Sequence, residues 1–234
     1  MRFTSALKYD LKFQIRHGFY SAYAFVVTFY LIALLNIPLG IREWVTTMVI
    51  FSDTSVLGFF FVGSIILLER GQGTLNTLFV TPIRLHEFLL SKSLSLTALA
   101  VLVSAGIVVI STPFAPLNPY FFFGVICSSL FYTLIGLGVA AKSATLNGYI
   151  FRGVAYTILF FLPLVHYFHL FESPIFWLLP TLPVLNLIDS LYLYHTTGKL
   201  LMSAGILLLW TVAAYFVAYR WFYNYVILGS GGGK

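Results

Sequence analysis

Long apolar runs separated by short polar segments dominate the chain. Six of these runs reach about 20 residues, the length that an α-helix needs to cross a hydrocarbon core of about 30 Å. They cover residues 19–39, 45–68, 93–114, 120–141, 150–171 and 200–222. Only a helix or a closed barrel satisfies its own backbone in lipid, and the runs lack the alternation of strands. The pattern predicts an all-α membrane protein with six transmembrane helices.

A seventh apolar stretch begins at Pro174 and reads PIFWLLPTLPVLNLIDSLYLY. Pro180 and Pro183 interrupt it, and each proline removes a backbone donor that a continuous spanning helix would need. Residues 174–196 are therefore predicted to form a broken hairpin of short helices that re-enters the membrane from the outer side.

The segment before the first run has the spacing of an amphipathic helix. Apolar residues recur every fourth position, with basic residues one step further round, over residues 1–18 (Phe3, Leu7, Leu11 and Ile15; Lys8, Lys12 and Arg16). Such a helix lies in the membrane interface, with its basic face towards anionic headgroups. A charged cytoplasmic tail is the alternative.

Composition and charge fix the class and predict an orientation. Hydrophobic residues make up 60% of the chain and charged residues only 9%, against about a quarter charged in soluble domains. With the N-terminus inside, eleven of the 13 Lys and Arg residues fall on the cytoplasmic side and only Arg42 and Lys199 outside. The positive-inside rule then places both termini in the cytoplasm. The net charge of +6 thus reflects membrane topology and gives no reason to expect nucleic acid.

The chain is predicted to be one transmembrane domain over residues 1–228. Residues 229–234, GSGGGK, have the composition of a flexible linker, native or added, and are left out of the fold. Cys127 is the single cysteine and is expected to act as a small buried hydrophobe.

The polar segment 69–92, in LERGQGTLNTLFVTPIRLHEFLLSK, is predicted to be a stiff cytoplasmic elbow. Thr74 can cap a short helix with Leu75, Leu78 and Phe79 on one face, and Pro82 ends that helix. A second apolar face follows, formed by Leu85, Phe88 and Leu89. These apolar residues need cover from lipid, from this subunit or from another protein.

The same segment carries a recognisable motif. It reads E-R-x-x-G-T-L-x-x-L-x-x-T-P, formed by Glu69, Arg70, Gly73, Thr74, Leu75, Leu78, Thr81 and Pro82. This motif resembles the coupling-loop signature of ABC-2 type transporter permeases, the membrane subunits of ATP-driven exporters. Pro183 and Asp189 in LPVLNLIDSLY are similar to the proline and acid of the family's external segment. Gly71 and Asn76 depart from the family, which often has carboxylates there.

The resemblance implies a function for the elbow. Its coupling helix would dock in a groove of a separate ABC ATPase through Thr74, Leu75, Leu78 and Phe79, with Glu69 and Arg70 pairing with polar groups at the rim. ATP and Mg²⁺ would bind to that ATPase and not to this chain. A second permease copy or paralogue would complete a homodimer or heterodimer in a bacterial or archaeal cytoplasmic membrane. The alternative is a loop that folds back on its own membrane domain.

Enzymatic function is not expected for this chain. The nearest approach to a phosphate-binding loop is GLGVAAKS from Gly136 to Ser143, but Ala141 replaces the glycine that must precede the lysine. That sequence is interpreted as small-residue helix packing. No H-E-x-x-H motif is present. The aromatic, weakly charged outer half favours a hydrophobic or amphipathic cargo, and the family resemblance implies a drug-like compound first and a lipid or peptide next. An ion-gradient-driven secondary transporter or channel is the alternative.

Three polar positions have competing interpretations. Asp53 is expected about two turns inside the outer end of span two, where it lines the export path or belongs to a hydrated, unwound helix start. His166 and His169, with Glu172 beyond them, have spacing compatible with zinc, but no closed ligand set is visible and interfacial polar tips are favoured.

Overall fold

The computed structural model describes residues 2–75 and 83–228, and most of these residues are helical. Ten α-helices are described in these ranges: α1 (Arg2–Arg16), α2 (Phe19–Leu35), α3 (Leu39–Ser52), α4 (Gly58–Gly71), α5 (Leu85–Ser111), α6 (Pro119–Ala141), α7 (Leu146–Phe161), α8 (Leu164–Tyr167), α9 (Thr181–Asp189) and α10 (Thr197–Phe222). Single π-helical turns join α3 to α4 (Asp53–Leu57) and follow α10 (Tyr223–Ile227), and a 3₁₀ turn covers Pro174–Leu178.

Five helical segments in the described ranges are long and apolar enough to cross a membrane: Leu39–Gly71, Leu85–Ser111, Pro119–Ala141, Leu146–Tyr167 and Thr197–Ile227. A sixth arises if α1 and α2, which meet at a bend of 66°, count as one span. The all-helical membrane class is thereby confirmed. The predicted first span is a helix of 17 residues that ends at Leu35, because Pro38 disfavours helix before it and instead caps α3.

The second span is longer than the sequence pattern predicted. It runs through α3, the π-helical turn and α4 over 33 residues, not over residues 45–68. Asp53 therefore lies near the middle of this helix and not two turns from its outer end. The residues around it are helical, so the alternative of an unwound helix start at Asp53 is wrong.

Two other span boundaries also move. The third span starts at Leu85 and not at residue 93, because Ser91, Lys92 and Ser93 are buried in protein and need no aqueous loop. The fifth span was predicted over residues 150–171, but α7 starts at Leu146 and the helix breaks at Pro163 before the single turn of α8.

Two short helices occupy the predicted hairpin. The 3₁₀ turn Pro174–Leu178 precedes α9, whose nine residues are all buried. Pro180 is the residue before the first turn of α9, and Pro183 lies within that turn, where backbone N–H groups have no intrahelical partner. The prolines thus start a helix here. Entry of this segment into the membrane stays a prediction.

Helix α6 is the centre of the bundle, packing against α4, α5, α9 and α10. Close approach depends on its glycines: a Cβ at Gly138 would stand 2.8 Å from Trp221, and one at Gly136 would stand 2.7 Å from Val62. These contacts confirm that GLGVAAKS packs helices through small residues.

Candidate functional site

Three buried charged residues meet where the chain enters and leaves the polar segment 69–92. Lys92 Nζ donates to Glu69 Oε1 at 2.7 Å and to Asp10 Oδ1 at 2.8 Å. Glu69 lies near the end of α4, Lys92 in the early turns of α5 and Asp10 on α1, and all three are at most 4% exposed. This Asp10–Glu69–Lys92 cluster therefore ties the N-terminal helix to both helices that flank the segment.

Supporting hydrogen bonds surround the cluster. Ser91 Oγ donates to Asp10 Oδ2 at 2.6 Å, and Gln14 Nε2 donates to Ser95 Oγ at 2.8 Å. One lysine serves two carboxyl groups, and Glu69 Oε2 is buried without a hydrogen-bond partner in the described ranges. Because buried charges are costly unless paired, the lysine is the residue on which the whole cluster depends.

Arg70 anchors the same end of α4 to another helix. Its guanidinium donates to the backbone carbonyl of Ser143 and, at 3.3 Å, to that of Ala141. These carbonyls lie at the C-terminal end of α6, where the last groups of a helix have no intrahelical donor. Glu69 and Arg70 thus fix the entrance of the polar segment against α5 and α6.

The predicted coupling residues divide into two groups. In the described part, Leu75 is 1% exposed and belongs to this subunit's core, and Gly73 has a left-handed backbone with φ of 71°. Leu78, Phe79, Thr81 and Pro82 lie outside the described residues. The described polar contacts of Glu69 and Arg70 are internal. Docking of the elbow on an ATPase, with Thr74 in its first turn, stays a prediction.

Asp10 was missed as a site residue, and Lys92 entered the sequence analysis only as one of the eleven basic residues on the cytoplasmic side. The stripe of Phe3, Leu7, Leu11 and Ile15 predicted the buried face, but that face is rotated towards Asp10, Phe13 and Gln14, which are the buried residues of α1. A signal did exist, since Asp10 is the one acid in an otherwise basic helix.

Asp53 has a partner from another helix. Tyr23 on α2 donates to Asp53 Oδ2 at 2.5 Å, and Asp53 is 1% exposed. Its other oxygen, Oδ1, has no hydrogen-bond partner in the part of the chain that is described. Asp53 also opens the π-helical turn, a backbone feature that is frequent at functional sites. An acid near the middle of a span is expensive and marks a candidate functional position.

Pro183 and Asp189 form a separate location. Both are buried on α9, and Tyr167 on α8 donates to Asp189 Oδ2 at 2.5 Å. Asp53 and Asp189 therefore bind different tyrosines on different helices. The described contacts do not assemble them into a carboxylate pair.

The histidines near α8 have protein partners. His169 Nδ1 lies 2.9 Å from Glu172 Oε1, with both side chains mostly exposed, and His166 Nδ1 accepts from the Ser173 backbone at 3.3 Å. The hydrogen bond from His169 lowers the pKa of the Glu172 carboxyl. Within residues 2–75 and 83–228, no group of three His, Cys, Asp or Glu residues is arranged to hold a metal ion.

Comparison with known proteins agrees with this architecture. A protein from Mycobacterium tuberculosis strain CDC 1551 / Oshkosh, described as a fluoroquinolones export permease protein, is 28% identical over 195 residues. The match covers 82% of this chain and 81% of the relative, and a protein of the same description from strain ATCC 25618 / H37Rv matches equally. The model of the fluoroquinolones export permease protein family matches residues 1–230. The chain therefore belongs to that family of ABC-2 type export permeases.

Proposed function

We propose that this chain is the membrane subunit of an ABC exporter. It moves a hydrophobic or amphipathic drug-like compound outward, using ATP hydrolysed by a separate subunit. Family membership supports the transport class, and the Asp10–Glu69–Lys92 cluster is the observation that supports coupling. The relatives are described as fluoroquinolone exporters, so a fluoroquinolone is the first cargo to test.

The cluster and Arg70 supply the mechanical part of the proposal. A conformational change is transmitted best by a short element whose two ends are fixed to the helices that must move. Glu69 and Arg70 hold the helix that enters the polar segment, and Lys92 lies on the helix that leaves it. A push on the elbow would displace α4 and α5 together and carry α1 with them through Asp10.

The elbow is the proposed docking element. Helix-in-groove docking of Leu78 and Phe79 on the ATPase would cover apolar side chains, as in other amphipathic recognition helices. The positive-inside count supports a cytoplasmic elbow and cytoplasmic termini. A second permease copy or paralogue would complete the pathway, and Asp53 and the Pro183–Asp189 hairpin are its candidate residues.

Transport by the reconstituted complex tests the proposal. The permease and its proposed ATPase partner are placed in liposomes, and fluoroquinolone movement is followed with ATP and with a non-hydrolysable analogue. Movement that requires hydrolysis is expected. Transport without ATP, in a permease that binds no ATPase, would reject the exporter.

Docking is tested at one position. Leu78→Asp should release the ATPase from the membrane, because it places a charge in an apolar contact, whereas Leu78→Met should not. Copurification of the ATPase is the measurement, and an unchanged elution profile of both permease variants shows that the membrane domain is intact. Equal retention of the ATPase by the two variants would contradict docking through this face.

An ion-gradient-driven transporter is the second candidate, and Asp53 is the observation that favours it. Proton-coupled transporters use buried membrane carboxyl groups, and Asp53 has an unbonded oxygen. An imposed pH gradient without ATP separates the two candidates. Gradient-driven export that Asp53→Asn abolishes would support the second.

A further inference from the structure

Three cationic side chains converge on the C-terminal end of α6. Arg70 donates to the carbonyls of Ala141 and Ser143, and Arg152 donates to the Lys142 carbonyl and, at 3.3 Å, to Ser143 Oγ. Lys142 Nζ lies 3.3 Å from the centre of the Trp221 ring. The partial negative charge of a helix C-terminus is about half an elementary charge, far less than the charge of three cations. The region therefore keeps a positive excess.

None of the seven acidic residues neutralises this excess. Asp10 and Glu69 bind Lys92, Asp53 and Asp189 accept hydrogen bonds from tyrosines, and the other partners lie elsewhere: Glu87 accepts from the Arg84 backbone and Glu172 contacts His169, while Glu43 lies on α3. The residues outside the described ranges contain no Asp or Glu. Partial burial, and then the neighbouring Arg152, lower the pKa of Lys142. An anion that approached both cations would relieve this repulsion.

Two of the three cations, Lys142 and Arg152, border an open groove. Its volume is about 450 Å³, and its lining combines the two cations with tyrosines and small apolar side chains (Val139, Lys142, Arg152, Ala155, Tyr156 and Tyr225). Tyr225 is also near the lysine, with its ring centre 5.5 Å from Lys142 Nζ. Cations beside an apolar wall match a ligand with an anionic head and a hydrocarbon body.

The groove lies at one end of a membrane helix. Val139 and Lys142 are at the end of α6, and Arg152, Ala155 and Tyr156 belong to the first turns of α7. The contacts of Arg70 place this groove on the same side of the bundle as the polar segment. An amphiphile held there would have its headgroup at the interface and its chains along the bundle.

We propose that Lys142 and Arg152 form a binding site for the phosphate headgroup of an anionic phospholipid, with its acyl chains against Ala155 and Tyr156. Basic pockets between membrane helices bind anionic lipid headgroups in this way. Binding at this site needs no ATPase, since all of its residues belong to this chain. By holding the end of α6 that Arg70 also contacts, the lipid would stabilise the anchor of the polar segment.

Lipid retention measures the site directly. The full-length permease is purified from nanodiscs that contain phosphatidylcholine and a titrated fraction of phosphatidylglycerol, and bound lipids are counted by native mass spectrometry. Lys142→Gln/Arg152→Gln should weaken phosphatidylglycerol binding about thirty-fold, since each cation near an anionic headgroup contributes about fivefold. Phosphatidylcholine binding should not change. Lys142→Arg should retain the wild-type preference, because it keeps the charge.

A matched control measures how much of the loss comes from general attraction between basic residues and anionic lipid. Lys8→Gln/Lys12→Gln also deletes two cations, both exposed on the basic face of α1, and should weaken phosphatidylglycerol binding severalfold less than Lys142→Gln/Arg152→Gln does, because these lysines attract headgroups only in general. Equal losses in the two double variants, or no loss in either, would overturn the proposal. Inorganic phosphate is the probe for a free-anion site. If millimolar phosphate displaces the lipid as completely as the double variant does, the site binds phosphate and the lipid proposal is wrong.

Discussion

Lys92→Met should destabilise the protein more than any other single change in the Asp10–Glu69–Lys92 cluster. Methionine has nearly the length of lysine, so the substitution removes the cation with little change in volume. Two carboxyl groups, at most 4% exposed, are then left without their cation. Breaking a buried ion pair in this way costs about 3–5 kcal/mol. In a domain of this size that corresponds to a loss of about 6–20 °C in unfolding temperature.

Variants that leave different numbers of buried charges distinguish the loss of an ion pair from a simple loss of packing. Glu69→Gln leaves the Lys92–Asp10 pair at 2.8 Å, so its cost should be smaller, about 1–3 kcal/mol. The triple variant Asp10→Asn/Glu69→Gln/Lys92→Met leaves no buried charge and should recover most of the stability lost in Lys92→Met.

Thermal unfolding in detergent with added lipid, followed by intrinsic fluorescence, measures the series. Lys12→Met is the control because Lys12 is an exposed lysine on α1, and its unfolding temperature should match that of the wild type. The reasoning is refuted if Lys92→Met unfolds within about 2 °C of the wild type, or if the triple variant is no more stable than Lys92→Met.

Three further predictions follow from local contacts. Gly63→Ala should destabilise by about 1–3 kcal/mol in chemical unfolding, because its Cβ would stand 2.0 Å from the Tyr149 ring, whereas Gly106→Ala, with open space around it, should be neutral or stabilising. Tyr167→Phe should cost about 1–3 kcal/mol in the same assay by removing one side-chain donor to buried Asp189. Glu172→Gln should leave the unfolding temperature at pH 7 unchanged within about 1 °C, since the pair with His169 is exposed. Because the Glu172 pKa is lowered, any contribution is present above the ordinary carboxyl pKa and disappears as pH falls through the lowered value, which a pH series of unfolding curves would show.

Helix positions were predictable because each helix in lipid satisfies its own backbone, so apolar length alone identifies it. The fourth run was predicted at 120–141 and is observed at Pro119–Ala141. The predicted helix boundaries were wrong where polar residues are buried in protein, as at Lys92. A hydropathy pattern cannot distinguish a buried charged residue from one that is exposed to water. They also failed at Pro163, where a break inside an apolar run leaves the composition unchanged.

The candidate site was only half predictable. The motif identified Glu69 and Arg70, because their spacing within a short polar segment can be read from the sequence alone. Their described partners are distant in sequence: Lys92 is 23 residues from Glu69, and Ser143 is 73 residues from Arg70. Pairing across such separations depends on which helices are neighbours, and that information is absent from the periodicity of any single helix.

The sequence by itself determined the membrane class, the helices and the family motif, since each depends on local composition or spacing. Only the tertiary structure decided that Asp10 faces Lys92, that Tyr23 meets Asp53 near the middle of a long helix, and that Lys142 and Arg152 share a groove without an acid. The physical reason is that a charge in a low-dielectric bundle is stabilised by whichever group packing brings within about 3 Å. Packing is a property of the whole chain.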